Sequence, residues 1–161
     1  MGVMVKVGMA DMNVCSSPDA LTTLGLGSCV GITLYDSVKK TAGMVHIMLP
    51  DSTKIKNNEN TAKFADTGID VLIEKMVSIG ANKNRLTAKI AGGAQMFAFN
   101  SNNDMLRIGE RNIEASKQKL ASLGIRIIAE DTGLNYGRTI EFYPETGELY
   151  VKSVGKPVKI I

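Results

Sequence analysis

The sequence predicts an α/β sandwich of mixed β-sheets, and three observations lead there. Only two segments carry the apolar spacing of an amphipathic helix, whereas six or seven short apolar stretches read as strands. A strand, a helix and a second strand follow one another between residues 86 and 130, the span of a parallel crossover unit. The last part of the chain then alternates around Pro144-Glu145-Thr146-Gly147 in the manner of a hairpin.

The elements follow in order. Val3 to Gly8 is a first strand, and Leu21 to Tyr35 reads as two strands broken by a bend at Gly25 and Gly27. Ala42 to Leu49 is a further strand, stopped by Pro50, and a polar loop runs from Asp51 to Asn60. From Thr61 the period changes: Ala65, Ile69, Leu72, Ile73 and Met76 recur at helical spacing, with Gly80 at the stop position. Leu86 to Ala91 is a strand ending in Gly92-Gly93, and Ala98 to Asp104 is an Asn-rich loop. Arg111 to Leu123 is the second helix, with Ile113, Lys117 and Leu120 on one side and Gly124 as its stop. Ile125 to Glu130 and the hairpin strands Arg138 to Tyr143 and Leu149 to Val154 complete the expectation. The stretch around Cys15, Asn13 to Pro18, reads as a turn.

Composition narrows the function classes. The 161 residues are read as one domain, 1–161, long enough to bury a core without disulfides or metals. A net charge of +3, no dense Lys/Arg run and 5% aromatic residues argue against a nucleic-acid binder. The mild basic balance would suit an acidic protein surface. No apolar run approaches a membrane span and the start lacks a secretory pattern, so no membrane insertion and a cytoplasmic location are expected. Cys15 and Cys29 should be free thiols there, and one His with two Cys cannot build a zinc cage, so neither metal nor cofactor is expected.

The chemistry concentrates in Thr22-Thr23-Leu24-Gly25-Leu26-Gly27-Ser28-Cys29-Val30 and in Gly43 to Pro50, which carries His46, the single histidine. A thiol becomes an effective nucleophile when a nearby imidazole takes its proton. Gly25, Gly27 and Gly31 leave the thiol unhindered and let backbone N–H groups near Ser28 and Cys29 converge as an oxyanion hole. The bland alternatives are a small core cysteine and a core histidine satisfied by a carbonyl. His46 shares a strand face with Met44 and Met48, Val45, Ile47 and Leu49 take the other, and so the strand should be covered on both sides. Thr23 can orient the imidazole, with Thr22 on the opposite face as control. Fully extended, residues 23 to 29 would span roughly 20 Å, so the glycine bend must fold the chain back. Gly92-Gly93 is either a wall of the substrate cleft or a tight turn, and Phe97 and Phe99 either contact a partner or join the core. The glycines match neither a dinucleotide fingerprint nor a phosphate cradle.

Four segments in order resemble the CheD family of chemotaxis proteins: Thr23 to Val30, His46 to Ser52, Ala88 to Ala94 and Ala129 to Gly133. The resemblance runs from about Val5 to Val154. It implies a chemoreceptor glutamine deamidase with a three-layer α/β fold similar to the catalytic domain of deamidating bacterial toxins. It also implies Cys29 as nucleophile, His46 as base and Thr23 as orienting residue; Gly27, Ser28, Gly92 and Gly93 are expected as substrate-binding positions from the glycine-rich segments themselves. Its partners would be methyl-accepting chemotaxis receptors as protein substrate and the phosphatase CheC. One departure stands out: Leu134 occupies a position where family members often carry glycine. Readings outside that activity are a non-catalytic adaptor that keeps the fold and a redox-sensing thiol, for which Cys15 is poorly placed as resolving cysteine.

Overall fold

The computed structural model describes residues 2–96 and 107–161, so Phe97, Phe99 and the whole of the expected 98–104 loop lie outside the described residues. Among the described residues, ten strands form two five-stranded sheets. One sheet has the order β1 (Met4–Val7), β3 (Ala20–Leu26), β8 (Arg138–Tyr143), β9 (Glu148–Lys152) and β10 (Lys159–Ile160). The other runs β2 (Met12–Ser16), β5 (Thr41–Ile47), β4 (Val30–Asp36), β6 (Thr87–Gly92) and β7 (Arg126–Thr132). Both sheets are mixed: β1 pairs β3 and β6 pairs β7 in parallel, and the remaining pairs are antiparallel.

Three layers result from the period-two alternation of the central strands. Ala42 and Met44 of β5 pack with Leu21, Leu26, Ile140, Phe142 and Leu149 between the sheets. Val45 and Ile47 of the same strand face the other way, with Val30, Ile32 and Leu34 of β4, toward Ile69, Leu72 and Met76. Those last residues belong to α1 (Ala65–Ser78), which with α2 (Ile108–Ser122) makes the third layer. Gly43 lets α1 approach, since a Cβ there would lie 2.8 Å from Leu72 Cδ1 and 2.9 Å from Met76 Sδ. All seven residues of β5 are buried, as its two apolar faces predict.

The parallel crossover between residues 86 and 130 and the C-terminal hairpin form as expected. Three expectations need correction. Residues 12–16 are a strand, not a turn: although Asn13 and the Ser16-Ser17-Pro18 run signal a turn, β2 fills the edge beside β5 and pairs Cys15 with Ala42. The first helix starts at Ala65, because Thr61–Lys63 forms a separate 3₁₀ turn capped by the Asn60 side chain. The fully buried stripe of α2 is Gly109, Asn112, Ser116 and Leu120; of the expected side, Leu120 is buried and Ile113 packs partly buried against the core, but Lys117 is exposed. Lys117 instead reaches Glu130 on the surface at 2.9 Å.

The glycine bend carries the chain from one sheet to the other. The β3–β8 ladder shifts register between Thr23 and Leu26, Gly25 takes φ +70°, and β4 begins in the opposite sheet at Val30. This crossing folds residues 23–29 back, so that Thr23 and the start of β4 both face the gap between the sheets.

Candidate active site

Cys29 ends the crossing segment, immediately before β4, and is 8% exposed. Gly27 and Ser28 beside it are half-buried at the surface. The ladder pairs Val30 with Ile47 and Gly31 with His46. Continued by one pair, it sets Cys29 diagonally across from His46, within reach of side chains on one face. Cys29 packs in the inter-sheet cluster with Met44, the neighbour of His46 on its strand face. Gly31, directly opposite His46, leaves no space for a side chain unless the end of Ile140 shifts: a Cβ would meet Ile140 Cδ1 at 2.7 Å.

His46 is fully buried and held from several sides. Its backbone N–H donates to Asp11 O at 3.0 Å, and its carbonyl accepts from Ala10 N–H at 2.9 Å. Its Nδ1 lies 2.7 Å from Thr23 Oγ1. The Thr23 hydroxyl donates its one hydrogen to Val7 O, also at 2.7 Å. A hydroxyl has a single proton to give, so the Nδ1 contact must run from N–H to oxygen. That fixes the tautomer: Nδ1 carries the proton and Nε2 keeps its lone pair. Nε2 is buried with no hydrogen-bond partner among the described residues. Thr22, on the opposite face, donates instead to Ile140 O at 2.8 Å.

Burial pushes the Cys29 thiol up, opposed by a hydrogen bond from its own backbone N–H, and pushes the His46 imidazole down. Both directions favour the neutral thiol beside the neutral imidazole.

Gly92 and Gly93 are buried under the Cys29 peptide. Gly92 takes φ +109°, and a Cβ on it would lie 2.3 Å from Cys29 O. Gly93 N–H donates to that same carbonyl at 2.8 Å, and Ala94 N–H donates to Gly27 O at 2.8 Å. The Glu130–Gly133 segment supports this loop in turn, through Gly133 N–H to Gly92 O at 2.9 Å. Arg138, 2% exposed, holds the turn by donating to Gly133 O at 3.0 Å.

Two participants escaped sequence reasoning. The Val7 carbonyl completes the Thr23–His46 chain, and no residue-type signal marks a backbone oxygen. Asn112 of α2 is fully buried, and its Nδ2 donates to Ser28 O at 3.0 Å and Met48 O at 2.9 Å. A polar residue on the 109–112–116–120 stripe was the available signal. Among the described residues, no three His, Cys, Asp or Glu side chains converge as metal ligands.

Residues 48–153 match the family model described as CheD chemotactic sensory transduction. The chain belongs to the CheD family. A relative from Lachnoclostridium phytofermentans, named probable chemoreceptor glutamine deamidase CheD, is 73% identical across 100% of both chains. One from Caldanaerobacter subterraneus with the same name is 62% identical, over 98% of this chain and 97% of its own. The chemoreceptor glutamine deamidase CheD of Halalkalibacterium halodurans is 59% identical over 100% of both. The family model begins just past His46, whereas these CheD relatives extend the likeness through the Cys29 and His46 segments. A solved hypothetical protein YfiH of Bacillus licheniformis aligns with 72% of this chain and 47% of its own at 17% identity and TM-score 0.44. That likeness is too distant to bear on the site. Among the described residues, no helix is long and apolar enough to cross a membrane.

Proposed function

We propose that this chain is a chemoreceptor glutamine deamidase, one catalytic domain over residues 1–161 working in the cytoplasm. It hydrolyses side-chain amides of specific glutamines on methyl-accepting chemotaxis receptors to glutamate and ammonia. The observation that carries this reading is the hydrogen-bond chain Val7 O, Thr23 Oγ1, His46 Nδ1, which leaves His46 Nε2 as a free base on the Cys29 face. An adaptor has no use for a buried imidazole with an unpartnered nitrogen.

His46 Nε2 takes the Cys29 Sγ proton as sulfur attacks the carboxamide carbon, forming the S–C bond and driving the carbonyl electrons onto oxygen. Backbone N–H groups of Ser28 and Cys29 receive that oxyanion. Collapse re-forms the carbonyl and breaks the C–N bond, while the His46 proton leaves with nitrogen as ammonia. Water, deprotonated by Nε2, adds to the thioester. The S–C bond then breaks, and the thiolate regains the proton from His46. Thr23 holds the ring in one tautomer throughout. Gly27 and Ser28, half-buried at the mouth, suit a glutamine protruding from a protein surface. Gly92 and Gly93 fix the wall beneath it. The resemblance adds CheC as a further partner.

The test is incubation with a receptor cytoplasmic fragment, mapping deamidated glutamines by mass spectrometry beside a Cys29→Ser variant. Site-specific mass gain lost with Cys29→Ser is the expected result. Receptor binding without deamidation by the wild type would favour the adaptor.

A further inference from the structure

Asn112 is a costly residue in its place. It projects from α2 into full burial, where an apolar side chain would pack without polar atoms to satisfy, and its Oδ1 has no partner among the described residues. What it gains is specific. The two hydrogens of one Nδ2 serve two carbonyls, Ser28 O at 3.0 Å and Met48 O at 2.9 Å. Ser28 immediately precedes the nucleophile, and Met48 lies two residues beyond the base. One carboxamide therefore ties the nucleophile's loop to the base's strand.

The direction of the tie matters more than its existence. In a trans peptide the carbonyl and the following N–H point to opposite sides. Holding Ser28 O toward α2 turns the Cys29 N–H away from the helix layer. That N–H indeed lies within hydrogen-bonding reach of its own sulfur. Neither Ser28 N–H nor Cys29 N–H donates to another acceptor among the described residues. The carbonyl on the other side of Cys29 is pinned as well, by Gly93 N–H at 2.8 Å. Both peptide planes flanking the nucleophile are thus fixed from outside, with its own N–H engaged by no acceptor other than its own sulfur among the described residues.

We infer that Asn112 is a positioning residue that aims the Cys29 N–H at the oxyanion, by clamping Ser28 O while anchoring the loop to Met48 O. The inference rests on the deamidase reading for its purpose. It predicts a defect in the step that develops negative charge on oxygen, with no defect in thiol reactivity.

The experiment compares Asn112→Asp, which keeps the shape but loses the paired N–H donors, with Asn112→Ser. Ser116→Ala, equally buried one turn along α2, serves as a structural control because Ser116 bonds only within its helix. Each is assayed for ammonia release from a receptor fragment and for Cys29 alkylation by iodoacetamide, a reaction that needs no oxyanion hole. Asn112→Asp should lower kcat by about 10²-fold, the usual loss of an oxyanion donor, at nearly unchanged KM. Its Cys29 alkylation should stay within about threefold of wild type, as should kcat in Ser116→Ala. A folded Asn112 variant with wild-type kcat overturns the inference. So does a parallel fall of kcat and alkylation, which would mean a displaced loop rather than a misdirected N–H.

If both Asn112 variants fail to fold, hydrogen exchange of the wild-type Asn112 carboxamide decides. Two slowly exchanging Nδ2 hydrogens are expected, and exchange at the free-amide rate overturns the clamp. A wild type that releases no ammonia from any receptor fragment sinks the deamidase reading instead, and the carboxamide exchange still tests the clamp alone.

Discussion

Cys15 and Cys29 make a controlled comparison within one molecule. Both are free, 7% and 8% exposed, and packed in the same cluster between the sheets. Burial pushes both thiols up, Cys15 to about 12 with the Asp19 carboxylate adding to the effect. They differ in backbone and neighbours. Cys15 lies in a regular ladder, paired with Ala42. Cys29 ends a bend between sheets, supported by glycines at positive φ, with its own N–H near its sulfur and a tautomer-fixed imidazole on its face. Burial alone makes a cysteine inert; in the proposed reaction the built surroundings of Cys29 are what distinguish it as the nucleophile.

The largest expected effect tests that difference directly. Cys29→Ser should abolish deamidation, a loss beyond about 10³-fold, whereas Cys15→Ser should change kcat less than about twofold. Ammonia release from a receptor fragment measures both. Equal losses would mean that the two thiols are not separable in this way.

Alkylation comes next. With a pKa of about 12, Cys15 is thiolate in about one molecule in 10⁴ at pH 8, so Cys29 should be the faster of the two to react with iodoacetamide. The sign for Cys29 follows from its raised thiol and lowered imidazole: the neutral pair is the resting state, and its thiolate fraction grows with pH. Its alkylation rate should therefore keep rising through pH 8. A plateau below pH 7, measured by mass spectrometry of quenched samples, would reveal a standing thiolate–imidazolium pair.

A smaller effect should come from loosening the imidazole. Thr23→Val removes the acceptor for Nδ1–H and the donor to Val7 O, and should lower kcat by about 10- to 100-fold. Thr23→Ser should restore it. Thr22→Val, losing only its bond to Ile140 O, should leave kcat intact and cost about 1 kcal/mol of stability in urea unfolding. A Thr23→Val enzyme at full rate would remove Thr23 from the site.

The parts of this site that were legible in the sequence are those written in residue type. A single histidine, a cysteine among glycines and a doubly apolar strand point to Cys29, His46 and full coverage of β5. The parts that were not legible depend on distant segments. The turn residues around Cys15 are overridden because β2 completes a sheet edge beside β5, which local propensity cannot register. The Val7 carbonyl meets Thr23 only because β1 lies parallel to β3. Asn112 meets Ser28 and Met48 only after α2 is rotated by about one position from its apparent apolar side, a shift set by Gly109 touching Gly93 and Ala94 rather than by the helix's own pattern.

The smallest expected effect lies in the scaffold of the Cys29 loop and concerns the one departure from the family pattern. Leu134 has φ +60°, in the left-handed region, directly after Gly133 at φ +79°. An L side chain there costs about 1 kcal/mol or more, and Leu134 is 62% exposed, so its side chain recovers little by burial. Its carbonyl still accepts from Gln95 N–H at 2.9 Å, and Gly133 N–H still holds Gly92 O, so the turn's function resides in backbone that glycine would keep. Leu134→Gly relieves the strain but frees the unfolded chain, which offsets part of the gain. The net should be a stabilisation of about 0.5 kcal/mol, a rise in Tm of about 1–2 °C in calorimetry, with kcat unchanged. A fall in Tm would show that the exposed leucine makes contacts worth more than the strain. A fall in kcat at constant Tm would show instead that the turn's stiffness, carried through Gly133 to Gly92, helps to hold the Cys29 carbonyl in place.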